Sequence, residues 1–140
     1  MRRILSSIYI LLFLVSLTGI SCAQREGPVS VNKAPDFTLE DINGQKVTLS
    51  AEVSANKATL LVFWATWCPA CRNEIPALKK MDADYKAKGL KILAIDIGES
   101  KARVGALIKQ QGIEYDVLLD TDNSIAESYG IRSIPANILL

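Results

Sequence analysis

Apolar and polar positions fall into blocks of different period along this chain. Residues 58–64 (ATLLVFW) and 90–97 (LKILAIDI) are near-continuous apolar runs, the pattern of strands covered on both faces. Residues 34–39 and 45–49 alternate apolar and polar. Asn43-Gly44 between them predicts a hairpin turn with positive φ at both positions. Ser50 is expected to cap a short helical turn reaching Ser54. Over 72–88, Ile75, Leu78, Met81 and Tyr85 recur at spacings of three and four, which predicts a helix with those four on its buried face. Pro76 is expected to kink that helix and Gly89 to stop it. A second helix is predicted over 101–111, with Val104, Leu107 and Ile108 inward and Gly112 at its end. A short strand at 116–119, a helix from about Asn123 to Tyr129 closed by Gly130, and a last strand at 136–140 complete the series. Strands alternating with helices predict an α/β fold with a largely parallel central sheet, covered on both sides.

The first 33 residues have a different texture. Arg2 and Arg3 precede an apolar stretch from Ile4 to Ile20, the pattern of a secretory signal. Three fates compete: cleavage after Ala23, lipid attachment at Cys22, or retention as an anchor. Lipidation of Cys22 is preferred, because a lone cysteine ending an apolar segment has no other evident role. Residues 24–33 are polar, contain Gly27 and Pro28, and read as a tether. The expected organisation is thus a signal or anchor at 1–23, a linker at 24–33 and one domain at 34–140, enough chain for one core. Each fate places that domain outside the cytoplasm.

Composition narrows the chemistry. The chain has 16 Lys and Arg against 15 Asp and Glu, and no histidine. Without Arg2 and Arg3 the balance is slightly acidic and shows no basic patch, which argues against nucleic acid as a partner. Of the three cysteines, two form Trp67-Cys68-Pro69-Ala70-Cys71 at the junction of a predicted strand and helix. There the first sulfur meets a helix N-terminus, whose free amides and dipole favour a thiolate. A thiolate of lowered pKa is both nucleophile and leaving group, the requirement for thiol–disulfide exchange. A zinc site needs four ligands, which three cysteines without histidine do not supply. A haem attachment site needs His after the second Cys, where Arg72 stands. A purely structural bridge over two residues would stabilise little, since it closes so short a loop. Redox work is the better reading of the pair.

Several pieces in order resemble one family: Ala34-Pro35-Asp36-Phe37, Phe63-Trp64-Ala65-Thr66-Trp67-Cys68, Arg72-Asn73-Glu74-Ile75-Pro76, Ile97-Gly98-Glu99-Ser100, Leu119-Asp120-Thr121-Asp122, and Tyr129-Gly130-Ile131 through Ile134-Pro135. Together they resemble the thioredoxin superfamily, and within it the TlpA/ResA-like, AhpC/TSA-type thiol–disulfide reductases. The resemblance implies a thioredoxin fold, with a mixed sheet flanked by helices and an N-terminal hairpin. It implies that Cys68 attacks and is the more exposed sulfur, and that Cys71 resolves. Pro135 corresponds to the family's cis-proline, and Ile134 before it to the residue whose backbone meets a substrate strand. Trp67 shields the sulfurs and, with Pro69, Ile134 and Pro135, completes the expected substrate surface; Trp64 is expected in the core. Glu74, three residues after Cys71, corresponds to an acidic residue that tunes the cysteines.

This chain also departs from the family. Cytoplasmic thioredoxins bury an Asp six residues before the first cysteine, where Val62 stands here, so Glu74 is the expected substitute. Pro69 suits the first helical position but removes an amide from the vicinity of Cys68. The family continues beyond the last strand with a partner strand and a final helix. The chain is therefore expected to be a truncated form whose 136–140 segment has an open apolar edge.

The expected activity is reduction of protein disulfides outside the cytoplasm, as in cytochrome c assembly. No cofactor or metal is called for. The expected partners are a disulfide-containing protein, a membrane electron donor and, through the N-terminus, the membrane. Two rivals remain. A peroxiredoxin-like peroxidase would carry Pro and Thr or Ser ahead of its cysteine, where Leu61 and Ala65 stand. A non-enzymatic module would use the groove beside Pro135 only to hold a polypeptide.

Overall fold

The computed structural model describes residues 34–140. The expectations for the signal, Cys22 and the linker lie outside them. The elements are β1 (Thr38–Asp41), β2 (Lys46–Thr48), α1 (Leu49–Ala55), β3 (Ala58–Trp64), α2 (Pro69–Tyr85) with a 3-10 turn at Lys86–Lys88, β4 (Leu90–Ile97), α3 (Lys101–Gln111), β5 (Asp116–Asp120), α4 (Ser124–Ser128) and β6 (Ala136–Leu139). They build one six-stranded sheet in the order β2-β1-β5-β4-β3-β6. The β3/β4 and β4/β5 pairs are parallel, whereas β1/β2, β1/β5 and β3/β6 are antiparallel. The sheet is therefore mixed, and the largely parallel sheet expected from periodicity is limited to its three central strands. A hairpin and a returning last strand supply the antiparallel edges.

The apolar runs of β3 and β4 are explained by two cores, one on each face. Leu61 and Phe63 point to one, with Leu93, Ile95, Leu118, Phe37, Leu49 and Ala126. Val62 and Trp64 point to the other, with Ile92, Ala94 and Val117, beneath Cys71, Ile75 and Leu78 of α2 and Val104 of α3. Leu61, Phe63, Leu93 and Ile95 have no solvent exposure. Each such side chain contributes about 1.5–3 kcal/mol by leaving water. Tyr129 ties the N-terminal segment to this layer. Its ring packs against Phe37 and Phe63, and its hydroxyl donates to the Pro35 carbonyl at 2.6 Å.

Three local expectations need correction. The buried stripe of α2 is Cys71, Ile75, Leu78 and Asp82, whereas Met81 is 37% and Tyr85 50% exposed. Both stripes fit a spacing of three and four. The one that wins faces the centre of the sheet, while Met81 and Tyr85 lie toward Lys57, Leu90 and Leu139 at one end of it. The turn after β1 is not a two-residue turn with positive φ at both Asn43 and Gly44, since only Gly44 has it. Instead the Asp41 carboxylate accepts from the amides of Asn43 (2.8 Å) and Gln45 (2.7 Å), folding the loop around a side chain. Ser50 does not cap α1. It lies inside the helix, and its amide donates to Asp36 Oδ1 at 2.8 Å.

Candidate active site

β3 ends at Trp64 and the chain turns through residues 65–68 into α2, so the cysteines stand at the C-terminal end of the parallel strands. Cys68 is the N-cap of α2 and Pro69 its first residue. Proline suits that place, where an amide would have no intrahelical partner. With the Pro69 amide absent, the donor that reaches the sulfur is the Cys71 amide, 3.1 Å from Cys68 Sγ. Cys68 and Cys71 are joined as a disulfide, their Cα atoms 5.3 Å apart. The two residues are almost equally buried, at 4% and 3% exposed, so the expected greater exposure of Cys68 is not seen. They differ in direction instead: Cys68 lines the cavity beside the site and Cys71 faces the α2 core.

That cavity has a volume of about 810 Å³. Trp67, Cys68 and Pro69 form one wall, Ile97 and Ala126 lie on another, and Ile131 and Ile134 close it. Trp67 is 60% exposed and lines the cavity with Cys68, while Trp64 is 4% exposed in the core. The Ile134–Pro135 peptide is cis. The Ile134 carbonyl oxygen lies 3.9 Å from Cys68 Sγ, so the loop before β6 approaches the disulfide from the opposite side.

Glu74 sits one turn beyond Cys71. Asn137 Nδ2 of β6 donates to its Oε1 at 3.4 Å, and its Oε2 is buried without a partner. Its charge reaches the core under α2. Burial, together with Asp82 and Glu74, pushes the Tyr115 hydroxyl up to about 12.

Sequence reasoning gave no role to a second group of residues around this turn. Glu99, 8% exposed at the end of β4, accepts from the Thr66 amide through Oε2 and from the Thr66 hydroxyl through Oε1 at 2.6 Å. Arg103 of α3 closes the triangle, with its Nε 2.9 Å from Glu99 Oε1 and 3.1 Å from Thr66 Oγ1. The residue two before Cys68 is thus held by both its backbone and its side chain. Asp96, fully buried on β4, stands beside Trp64 in the β3/β4 register. Burial first, then the Glu99 carboxylate, pushes Asp96 up to about 8. A lone Asp in the apolar run 90–97 was the available signal. Its side chain falls on the inward period of a strand covered on both faces.

Comparison with known proteins agrees with this geometry. Residues 31–140 match the AhpC/TSA family. The chain is 33% identical to the thiol-disulfide oxidoreductase ResA of Bacillus subtilis (strain 168), over 99% of its own length and 79% of that protein. A ResA of Bacillus thuringiensis subsp. konkukian is 32% identical, over 99% and 82%. Among solved structures, the thioredoxin domain of a thiol-disulfide oxidoreductase from Bacteroides vulgatus superposes with a TM-score of 0.69, at 29% identity, over 76% of this chain and 77% of that one. With a vicinal cysteine pair at the mouth of a thioredoxin-fold cavity, the chain belongs to the AhpC/TSA family and is a thiol–disulfide oxidoreductase.

Proposed function

We propose that this enzyme reduces disulfides of polypeptides outside the cytoplasm, with Cys68 as attacking and Cys71 as resolving residue. The observation that carries this is the placement of Cys68. Its sulfur faces an open cavity, receives the Cys71 amide and lies 3.9 Å from the Ile134 carbonyl. In the reduced enzyme the Cys71 amide stabilises a Cys68 thiolate. The thiolate attacks one sulfur of a substrate disulfide and expels the other as a thiolate. Cys71 loses its proton and attacks Cys68, releasing the second substrate sulfur and restoring the Cys68–Cys71 disulfide. Two electrons pass to the substrate, and a membrane donor returns two to the enzyme. Glu74 is the base for Cys71. It lies one turn away, where helical neighbours are about 5–6 Å apart, and has an oxygen with no other partner. Trp67, Pro69 and Ile134 line the cavity with Cys68, Pro135 follows Ile134 across the cis peptide, and the substrate chain lies along these four, meeting the Ile134 backbone.

The N-terminal signal, with lipid on Cys22, would keep the domain at the outer face of the membrane, close to such a donor. The test is titration of the Cys68–Cys71 couple against glutathione, with turnover of a protein disulfide. A reductant has a potential near or below about −250 mV, an oxidant one near about −120 mV. Cys68→Ser is expected to abolish turnover. Retained turnover in that variant would refute the assignment of Cys68.

A further inference from the structure

Asp96 has no solvent exposure, and neither of its carboxylate oxygens accepts a hydrogen bond. Burying an ionised carboxylate without a donor is strongly unfavourable. The other fully buried carboxylate, Asp120 of β5, shows the contrast. Its Oδ1 and Oδ2 accept from the amides of Ile125 and Ala126 and so anchor the start of α4. Asp96 has no such pair of amides. Besides burial, the groups acting on it are the Glu99 carboxylate and, with opposite sign, the Arg103 guanidinium and the Glu99 backbone amide. On this face of the sheet α2 brings the Cys68–Cys71 disulfide, with Glu74 held by Asn137 and Asp82 further along its buried stripe. Trp64, its register neighbour on β3, has an indole N–H that is likewise unpartnered.

Glu99 is already committed to Thr66 and Arg103 through donors on both oxygens. Two neighbouring carboxyls, one of them fully buried, are reconciled by one proton. Placed on Asp96, it converts an acceptor into a donor aimed at Glu99. That proton neutralises the buried member and leaves Glu99 charged toward Thr66 and Arg103.

We propose that Asp96 is a positioning residue for Cys68: its protonated carboxyl donates to Glu99 and braces Glu99 against Thr66, and its ionisation drives the two carboxylates apart and slackens the turn that carries Cys68. The inference rests on the exchanger reading of the cysteine pair. Three links join Asp96 to the sulfur. They are the Asp96–Glu99 contact, the double grip of Glu99 on Thr66, and the Cys68 amide, which donates to the Ala65 carbonyl at 3.2 Å within the same turn. Slackening moves Cys68 away from the Cys71 amide and weakens thiolate stabilisation. Burial and Glu99 put this change near pH 8, within the range where the thiol itself works.

The experiment is the rate of alkylation of Cys68 by iodoacetamide in the reduced protein, from pH 5 to pH 10, in wild type and Asp96→Asn. Asparagine keeps a donor toward Glu99 at every pH. Similar rates are expected at pH 6, with the variant's rate reaching its plateau at a lower pH than that of wild type, because only wild type loses the brace. Superimposable profiles would overturn the proposal. The carbon-13 shift of the Asp96 carboxyl in wild type gives a second reading that needs no variant, and a midpoint below pH 6 would also overturn it. Neither readout requires a substrate. An absence of protein-disulfide turnover would count against the proposed function and leave this inference standing.

Discussion

Asp96 makes the protein's stability fall with pH in a range where little else titrates. A carboxyl shifted from 3.8 to about 8 on folding binds its proton in the folded state and releases it in the unfolded chain over the interval between. Unfolding then releases a proton, so stability declines as pH rises, at about 1.4 kcal/mol per pH unit, and levels off above the folded value. From pH 6 to pH 9 the expected loss is about 2–3 kcal/mol. The background is favourable. The chain has no histidine, and in the oxidised protein the Cys68–Cys71 disulfide does not titrate. Asp41, Asp84 and Asp122 are lowered, so they are ionised in both states throughout this window. Urea unfolding of the oxidised protein at pH 6, 7, 8 and 9 measures the slope, and Asp96→Asn is the control. The variant is expected to be flat across the window and, at pH 9, more stable than wild type. A wild-type curve as flat as that of the variant would show that Asp96 is ionised in the folded protein and would refute the reasoning.

Other substitutions test the packing and the turn geometry. Phe63→Ala removes a fully buried ring that packs on Tyr129, 5.5 Å between centroids, and is expected to cost about 3–5 kcal/mol in urea unfolding. Gly98→Ala places a methyl 2.7 Å from Asn123 Oδ1 at a residue with φ +71°. It is expected to lower stability by about 1–3 kcal/mol and to narrow the cavity entrance beside Cys68. Lys80→Ala breaks a fully exposed pair with Asp84 and is expected to leave the melting temperature unchanged.

The central strands were legible because burial on both faces writes itself as an unbroken apolar run, as at 58–64 and 90–97. The sulfur chemistry was legible because its two residues are neighbours in sequence and sit at a junction visible in the periodicity. The α2 stripe was not, since Cys71 and Asp82 look polar beside Met81 and Tyr85, and only the position of the sheet decides between the two faces. The turn after β1 was misread because Asp41, outside the Asn-Gly pair, supplies the acceptors that shape it. The Thr66–Glu99–Arg103 triangle was hidden by distance, with 33 residues separating Thr66 from Glu99. Asp96 left a trace, the one acidic residue within an apolar strand, but its meaning depends on Glu99 acting on it.

β3 divides its side chains between two cores and then runs directly into the reactive turn. Whatever changes the thickness of either layer is therefore felt by the sulfurs within a few bonds. The opposite rim, residues 131–134, hangs from an edge strand with one hydrogen-bonded neighbour among the described residues. Substitutions on that rim are accordingly expected to alter which client fits while leaving the turn that carries the sulfurs in place.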